Sequence, residues 1–200
     1  MLLTAEEAAL LVTELTAEEA ALLTLEEDWK PEGQGEFKAG DLVGFNWSGF
    51  MADGALPKVE LVFRPTPKQA LQGVGITKNN VLVNISDNVV VKVMAYAKDG
   101  ANWTSQEVKL PPNGSAGVIY ADSDETTAFL GYEGYLSPDT LYTYDSASGA
   151  VSQLKQLPAW FDAAGYEVDQ NEARLLAVRK AESHILLGSG IECRSGFDAK

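Results

Sequence analysis

From Trp29 onward, apolar residues fall into short runs rich in Val, Ile, Tyr and Phe, several of them alternating with polar positions, and the runs are separated by Gly, Pro, Asn and Asp. This is the pattern of strands divided by turns. It predicts strands at DLVGFNW (41–47), VELVFR (59–64), NVLVNIS (80–86), VVVKVMAYA (89–97), WTSQEVKL (103–110) and AGVIYA (116–121), followed by TTAFLGYE (126–133), TLYTYD (140–145) and AVSQLK (150–155). Because side chains alternate sides on a strand, Val81, Val83 and Ile85 share one face, as do Val89, Val91 and Val93. Ser86, Asp87 and Asn88 supply a tight turn between those two strands, Asp99-Gly100 a second, and the Ser146 to Gly149 segment a third. Successive antiparallel hairpins are the result.

The first residues read differently. LTAEEAALL occupies residues 3–11 and again 15–23, a repeat with a period of twelve that is too short for a solenoid. Ala, Leu and Glu favour helix, and Thr4 with Glu7 makes a capping box. Short apolar runs such as LLVTEL and LLTLEEDW also suit strands. The expectation is a helix near residues 4–10 and a strand near 21–27.

Consecutive hairpins at this spacing suit a sandwich, a barrel or propeller blades of four strands per roughly 40–50 residues. By that length, residues 30–174 amount to about three blades, fewer than the roughly 4–8 needed to close a ring. The predicted fold is all-β: a partial, about three-blade β-propeller of four-stranded antiparallel sheets, with a mixed N-terminal segment and an irregular C-terminal tail. The corresponding regions are residues 1–28, 29–174 and 175–200.

Charge removes some function classes. With 15 basic and 29 acidic residues the net charge is −14, which opposes binding to nucleic acid or anionic lipid. The single Cys193 permits no internal disulfide and no thiolate metal site of its own. MLLTAEEAALL has no basic start and carries Glu6 and Glu7, unlike a secretory signal. No window reaches the roughly 18 apolar residues of a membrane span, so a soluble, cytoplasmic chain is expected.

Three stretches resemble the last propeller blades of the prolyl oligopeptidase family. DWKPEG…FKAGDLV resembles one blade opening, and LVFRPTPKQAL…VLVNISDNVVVKV resembles the next blade. The most specific stretch runs from Tyr120 to Ala173. It combines a Ser-Pro-Asp-Thr-Leu-Tyr strand, Pro158, Phe161-Asp162, Gln170 and Glu172-Ala173, and resembles the final blade and the exit towards the hydrolase. Taken singly, these residues read as structural: Pro138 as a turn former at a strand edge, Trp160 and Phe161 as core, Asp162 as a turn residue. The resemblance implies a serine peptidase that cleaves short peptides after proline, in which a seven-bladed propeller covers an α/β-hydrolase domain that carries the chemistry.

The chemistry itself is not found in this sequence. A hydrolase nucleophile elbow needs glycine two residues before and two residues after the serine. Ser115 has Asn113 and Gly117 there, Ser189 has Leu187 and Ile191, and no other serine does better. The only histidine, His184, precedes Ser189 and Ser195, the reverse of the hydrolase order. After Ala173 the tail RLLAVRKAESHILLGSGIECRSGFDAK departs from the family, lacking its Ser-Lys-Asp-Gly-Thr segment. HILLGSGIECRS resembles a later glycine-rich turn, with Ser189 in the place of the family's oxyanion-stabilising tyrosine; serine reaches less far, so that role is not transferred.

Asp122, Asp124 and Glu125 form an acidic cluster best read as a solvated turn, since calcium takes six or more ligands. Tyr132, Tyr135, Tyr142 and Tyr144 read as packing within blades. No catalytic, cofactor-binding or metal-ligating residue is assigned. The expected function is the propeller portion of a prolyl oligopeptidase-like serine peptidase, inactive alone; a stand-alone binding or assembly module is the alternative. Expected partners are the missing hydrolase or propeller portion, or a second copy through open strand edges.

Overall fold

A computed structural model describes residues 20–88, 90–99, 102–170 and 191–195. Three antiparallel sheets follow one another along the chain. The first contains β1 (Ala20–Thr24), β2 (Leu42–Asn46) and β3 (Glu60–Phe63), in that order. The second is the meander β4 (Gln69–Ile76), β5 (Val81–Asp87), β6 (Val90–Asp99) and β7 (Asn102–Glu107). A second meander forms the third sheet from β8 (Gly114–Tyr120), β9 (Thr127–Gly134), β10 (Thr140–Asp145) and β11 (Ala150–Gln156). The architecture is a partial β-propeller without ring closure among the described residues, in line with the sequence reading.

Each gap between sheets is filled by a cluster of side chains. Leu22, Leu42, Val62 and Phe63 of the first sheet meet Ile76, Val81, Val83, Ile85 and Tyr96 of the second. Leu82, Val93 and Ala95, from the opposite face of the second sheet, meet Ala116, Ala128, Leu130, Tyr132 and Tyr144 of the third. Period-two alternation explains this division: Val81, Val83 and Ile85 share one face as predicted, and Leu82 points to the other. Val93 joins the second cluster and Val91 is half-buried, while Val89 lies outside the described residues.

The predicted strands all form, with ends shifted by a few residues, and the strand expected near 21–27 is β1. Four elements differ from the reading. The strand placed at 41–47 stops at Asn46, whose side chain caps a short helix, α1 (Trp47–Asp53), by accepting the Gly49 N–H at 2.6 Å. Gly54, at φ 65°, ends α1 in the left-handed conformation. β4 went unread because Gly73 and Gly75 interrupt its apolar pattern. In the tail, β12 (Tyr166–Gln170) pairs with β13 (Ile191–Ser195), so residues 191–195 are a strand and not irregular. Cys193 stands opposite Val168 in that ladder. The helix expected at 4–10 lies outside the described residues, as do Gly100, His184 and Ser189.

Inside the first sheet a buried carboxylate is fully engaged. Asp41 is inaccessible to solvent; it accepts the Lys38 N–H at 2.8 Å and the Arg64 Nε–H at 2.9 Å. Arg64 thereby ties the residue after β3 to the turn before β2, the arrangement that makes a buried charge tolerable. On the outer side of this sheet Phe45, Trp47 and Phe50 pack at ring separations of 5.5 to 6.4 Å.

Candidate functional site

The two four-stranded sheets meet closely because their facing residues are small. β8 lies along β4, β5 and β6. A Cβ at Gly75 would stand 2.9 Å from Val118 Cγ1 and 3.2 Å from the Ala121 Cβ, so only glycine permits this approach. At one end of the junction a cleft of about 480 Å³ opens. Its walls come from the β5–β6 turn at Asn88, from Leu110, Pro111 and Pro112 before β8, from Tyr135, and from Val168 of β12. Asn88 (φ 51°) and Asn113 (φ 62°) shape the rim in the left-handed conformation that asparagine tolerates better than most residues. The turn placed at Ser86, Asp87 and Asn88 therefore falls at Asn88, because β5 continues through Asp87.

The cleft combines an apolar wall with carboxylates. Glu107 and Asp87 line it, and Asp87 pairs with Lys92 at 3.6 Å. Ser115 also lines it, its hydroxyl accepting the Val91 N–H at 3.4 Å. Such a surface can hold an apolar or neutral segment by contact, and with Asp87 and Glu107 against Lys92 it disfavours anions; among the described lining residues none is a histidine.

The opposite end of the same junction is held by polar groups. The Asn80 side-chain amide donates to the Tyr144 hydroxyl at 2.7 Å and to the Ser146 carbonyl at 3.3 Å. Ser146 Oγ donates to Asn79 Oδ1 at 3.1 Å, and the Lys78 N–H donates to the Glu125 carbonyl at 2.8 Å. Burial pushes the Tyr144 phenol above its ordinary value, with the Asn80 bond opposing the shift. Asp145 is held below the usual carboxylate range by the Ala147 N–H and the Ser148 hydroxyl, and this closes the predicted turn that ends at Gly149 (φ 71°).

Residues 57–157, which span β3 to β11, match the N-terminal β-propeller domain of prolyl oligopeptidases. The chain belongs to the prolyl oligopeptidase family. Among curated proteins, an uncharacterized peptidase of Sinorhizobium fredii is 30% identical over 146 residues, covering 73% of this chain and 20% of the relative. An uncharacterized peptidase of Rickettsia prowazekii is 28% identical over 178 residues, covering 88% and 24%. The chain thus spans between a fifth and a quarter of the length of these relatives. The fold is shared with a solved post-proline cleaving enzyme from Rickettsia typhi, at TM-score 0.64 and 24% identity over 76% of this chain and 22% of that one. Oligopeptidase B from Trypanosoma brucei gives TM-score 0.53 and 14% identity, over 76% and 23%.

Against this prolyl oligopeptidase propeller, several sequence-singled residues take the expected places. Pro138 precedes β10, its carbonyl accepting the Thr140 hydroxyl at 2.8 Å, and Asp162 accepts the Ala164 N–H in a turn. Tyr132, Tyr142 and Tyr144 pack in the second cluster, Tyr132 and Tyr142 edge to face at 6.3 Å. Asp122 serves its own turn, accepting the Asp124 N–H at 2.9 Å and the Tyr120 hydroxyl at 3.2 Å. Among the described residues no group of three or more His, Cys, Asp or Glu is placed to hold a metal ion.

Other residues need correction. Tyr135 is 55% exposed and lines the cleft, so it is not blade packing. Trp160, at 90% exposure, and Phe161, at 55%, are not core: the chain has left β11 there, and Phe161 packs edge to face on the Tyr166 ring, 6.2 Å away. The cleft itself escaped sequence reading, although the paired Pro111-Pro112 before a strand marked a rigid connection between blades. No helix among the described residues is long and apolar enough to cross a membrane.

Proposed function

We propose that this chain supplies a propeller portion of a prolyl oligopeptidase-type serine peptidase and that it performs no peptide hydrolysis by itself. The observation that carries the reading is the family match from β3 to β11, which falls wholly on the propeller. Two facts support it: no serine of the sequence has glycine at both flanking elbow positions, and the cleft serine, Ser115, has only a backbone amide as its described partner. In this reading the apolar far face of the third sheet, where Ile119 is 65% exposed and Leu157 also stands out, is covered by the remaining propeller or hydrolase portion.

The test is an assay of the purified chain on a proline-containing chromogenic peptide. No turnover above background is expected. Turnover abolished by a serine-directed inhibitor would overturn the proposal.

A further inference from the structure

Where the chain leaves β11, aromatic side chains face solvent. Trp160 is 90% exposed and Phe161 55%, and Tyr135, from the β9–β10 connection, is also 55% exposed. Exposed apolar surface gathered in one place marks a binding surface, and these three rings are gathered. They line one pocket of about 160 Å³ together with Leu136, Pro138 and Asp139. A cavity on the order of 150 Å³ holds a group the size of benzene.

Both walls of this pocket are fixed by the backbone. The first is the connection between β9 and β10, residues 135–139. It starts at Gly134, where a Cβ would stand 3.0 Å from the Tyr132 hydroxyl and 3.2 Å from Ser137 Cβ, so glycine lets the connection lie close on the sheet. It ends where the Thr140 hydroxyl donates to the Pro138 carbonyl at 2.8 Å. The second wall is the segment after β11, residues 158–161, and the Leu157 N–H ties it to the first by donating to the Asp139 carbonyl at 3.0 Å. Beside that bond the Gln156 side-chain amide donates to the Thr140 hydroxyl at 3.0 Å. Phe161 is steadied in turn by the edge-to-face Tyr166 ring.

The lining is selective in charge as well as shape. An aromatic ring is electron-rich on its face, so it attracts a cation, and it covers apolar groups at the same time. Among the described residues neither Tyr135 nor Trp160 packs on another ring, which leaves their faces available. Asp139 adds a carboxylate that forms no ion pair among the described residues, and no lysine or arginine lines the pocket. The net charge of −14 opposes an anion there.

We infer that this pocket is a binding site for an organic cation, a methylated ammonium group seated against Tyr135, Trp160 and Phe161 with Asp139 as its counter-charge. The methyl groups lose water against the rings while the charge stays near the carboxylate. Calcium or magnesium is a poor match, since one carboxylate supplies too few oxygens. An unmethylated ammonium or a guanidinium brings three to five N–H donors that need acceptors, and one carboxylate satisfies few of them. The inference does not depend on the peptidase reading.

Titration of the whole chain with tetramethylammonium chloride tests this, followed by NMR on the Trp160 indole N–H and on the ligand methyl signal, with sodium chloride keeping the ionic strength constant. Saturable shifts are expected, and none with tert-butanol, a neutral counterpart of similar shape. Trp160→Ala, at a position too exposed to matter for folding, should weaken binding about fivefold, and Asp139→Asn about twofold. Shifts that never saturate, equal shifts with tert-butanol, or unchanged affinity in Trp160→Ala would each overturn the inference. Choline and a trimethyl-lysine peptide, titrated in parallel, separate a free small molecule from a protein side chain as the source of the cation. At least one of them is expected to bind as tightly as tetramethylammonium; if both bind more weakly, the inference fails.

Discussion

The junction between the first and second sheets and the junction between the second and third solve the same packing problem in different ways. At the first, Leu22, Leu42 and Phe63 face Ile85 and Tyr96, and Phe63 meets Tyr96 edge on at 6.3 Å. Large side chains fill the gap, and the cross-junction ion pair, Lys98 with Glu60 at 3.4 Å, is weak and partly exposed. At the second, Gly75, Ala116 and Ala128 let the backbones approach, and polar groups then reach across: Asn84 Oδ1 accepts the Val118 N–H at 3.1 Å, and Asn80 binds Tyr144 and Ser146. Close approach makes direct hydrogen bonding possible, and the shielded setting makes each bond costly to lose. One junction rests on volume; the other rests on fit.

That contrast can be broken in four places. Leu130→Ala, at a fully buried position of the second junction, should cost about 2–5 kcal/mol in urea unfolding, because neighbours held by hydrogen bonds cannot collapse into the space. A loss below that range would mean that the junction repacks as freely as an aliphatic one. Gly75→Val should cost about 1–3 kcal/mol by overpacking against Val118 and Ala121, measured as a lowered urea midpoint; an unchanged midpoint would deny that the close approach is needed.

Asn80→Ala removes both donors to the third sheet and should cost about 1 kcal/mol or somewhat more, whereas Lys98→Ala at the first junction should cost less. Equal losses would erase the distinction. The smallest effect is on pH dependence. Burial raises the phenols of Tyr96, Tyr132 and Tyr144 above their ordinary 10.0, so the unfolded chain releases protons first. Stability should hold below pH 10.0 and fall as the pH rises from there through the folded-state values. Tyr132→Phe, which also gives up the bond to the Pro112 carbonyl, should make that fall shallower above pH 10.0; an identical slope would remove Tyr132 from the account.

Much of the fold was legible because burial on a strand leaves a period of two in the sequence. The β5 run VLVNIS displays both of its faces in one line of residues, and Asn, Asp and Gly mark where the chain reverses. The elements that were missed each carry a competing local feature. In β4, glycine replaces the apolar residues that would have signalled a strand, since Val118 and Ala121 occupy the space a side chain would need. The start of α1 was readable from Asn46 and its end from Gly54, yet the strand pattern of DLVGFNW runs straight into it.

The candidate cleft was less legible than the fold. Its walls come from Asn88, Pro111, Tyr135 and Val168, four places far apart in the chain, and no spacing links them. Trp160 and Phe161 make the same point in reverse, because an aromatic residue carries apolar area wherever the chain leaves it and the sequence does not say what will cover it.

From its residues alone this protein is an acidic, all-β chain that resembles the prolyl oligopeptidase family and has no serine with glycine two residues before and two after it, because strand periodicity and elbow spacing are local properties of the sequence. Which faces meet, how closely the sheets approach and where the cleft opens were decided only in the tertiary structure, since those depend on the volumes of residues brought together from distant positions.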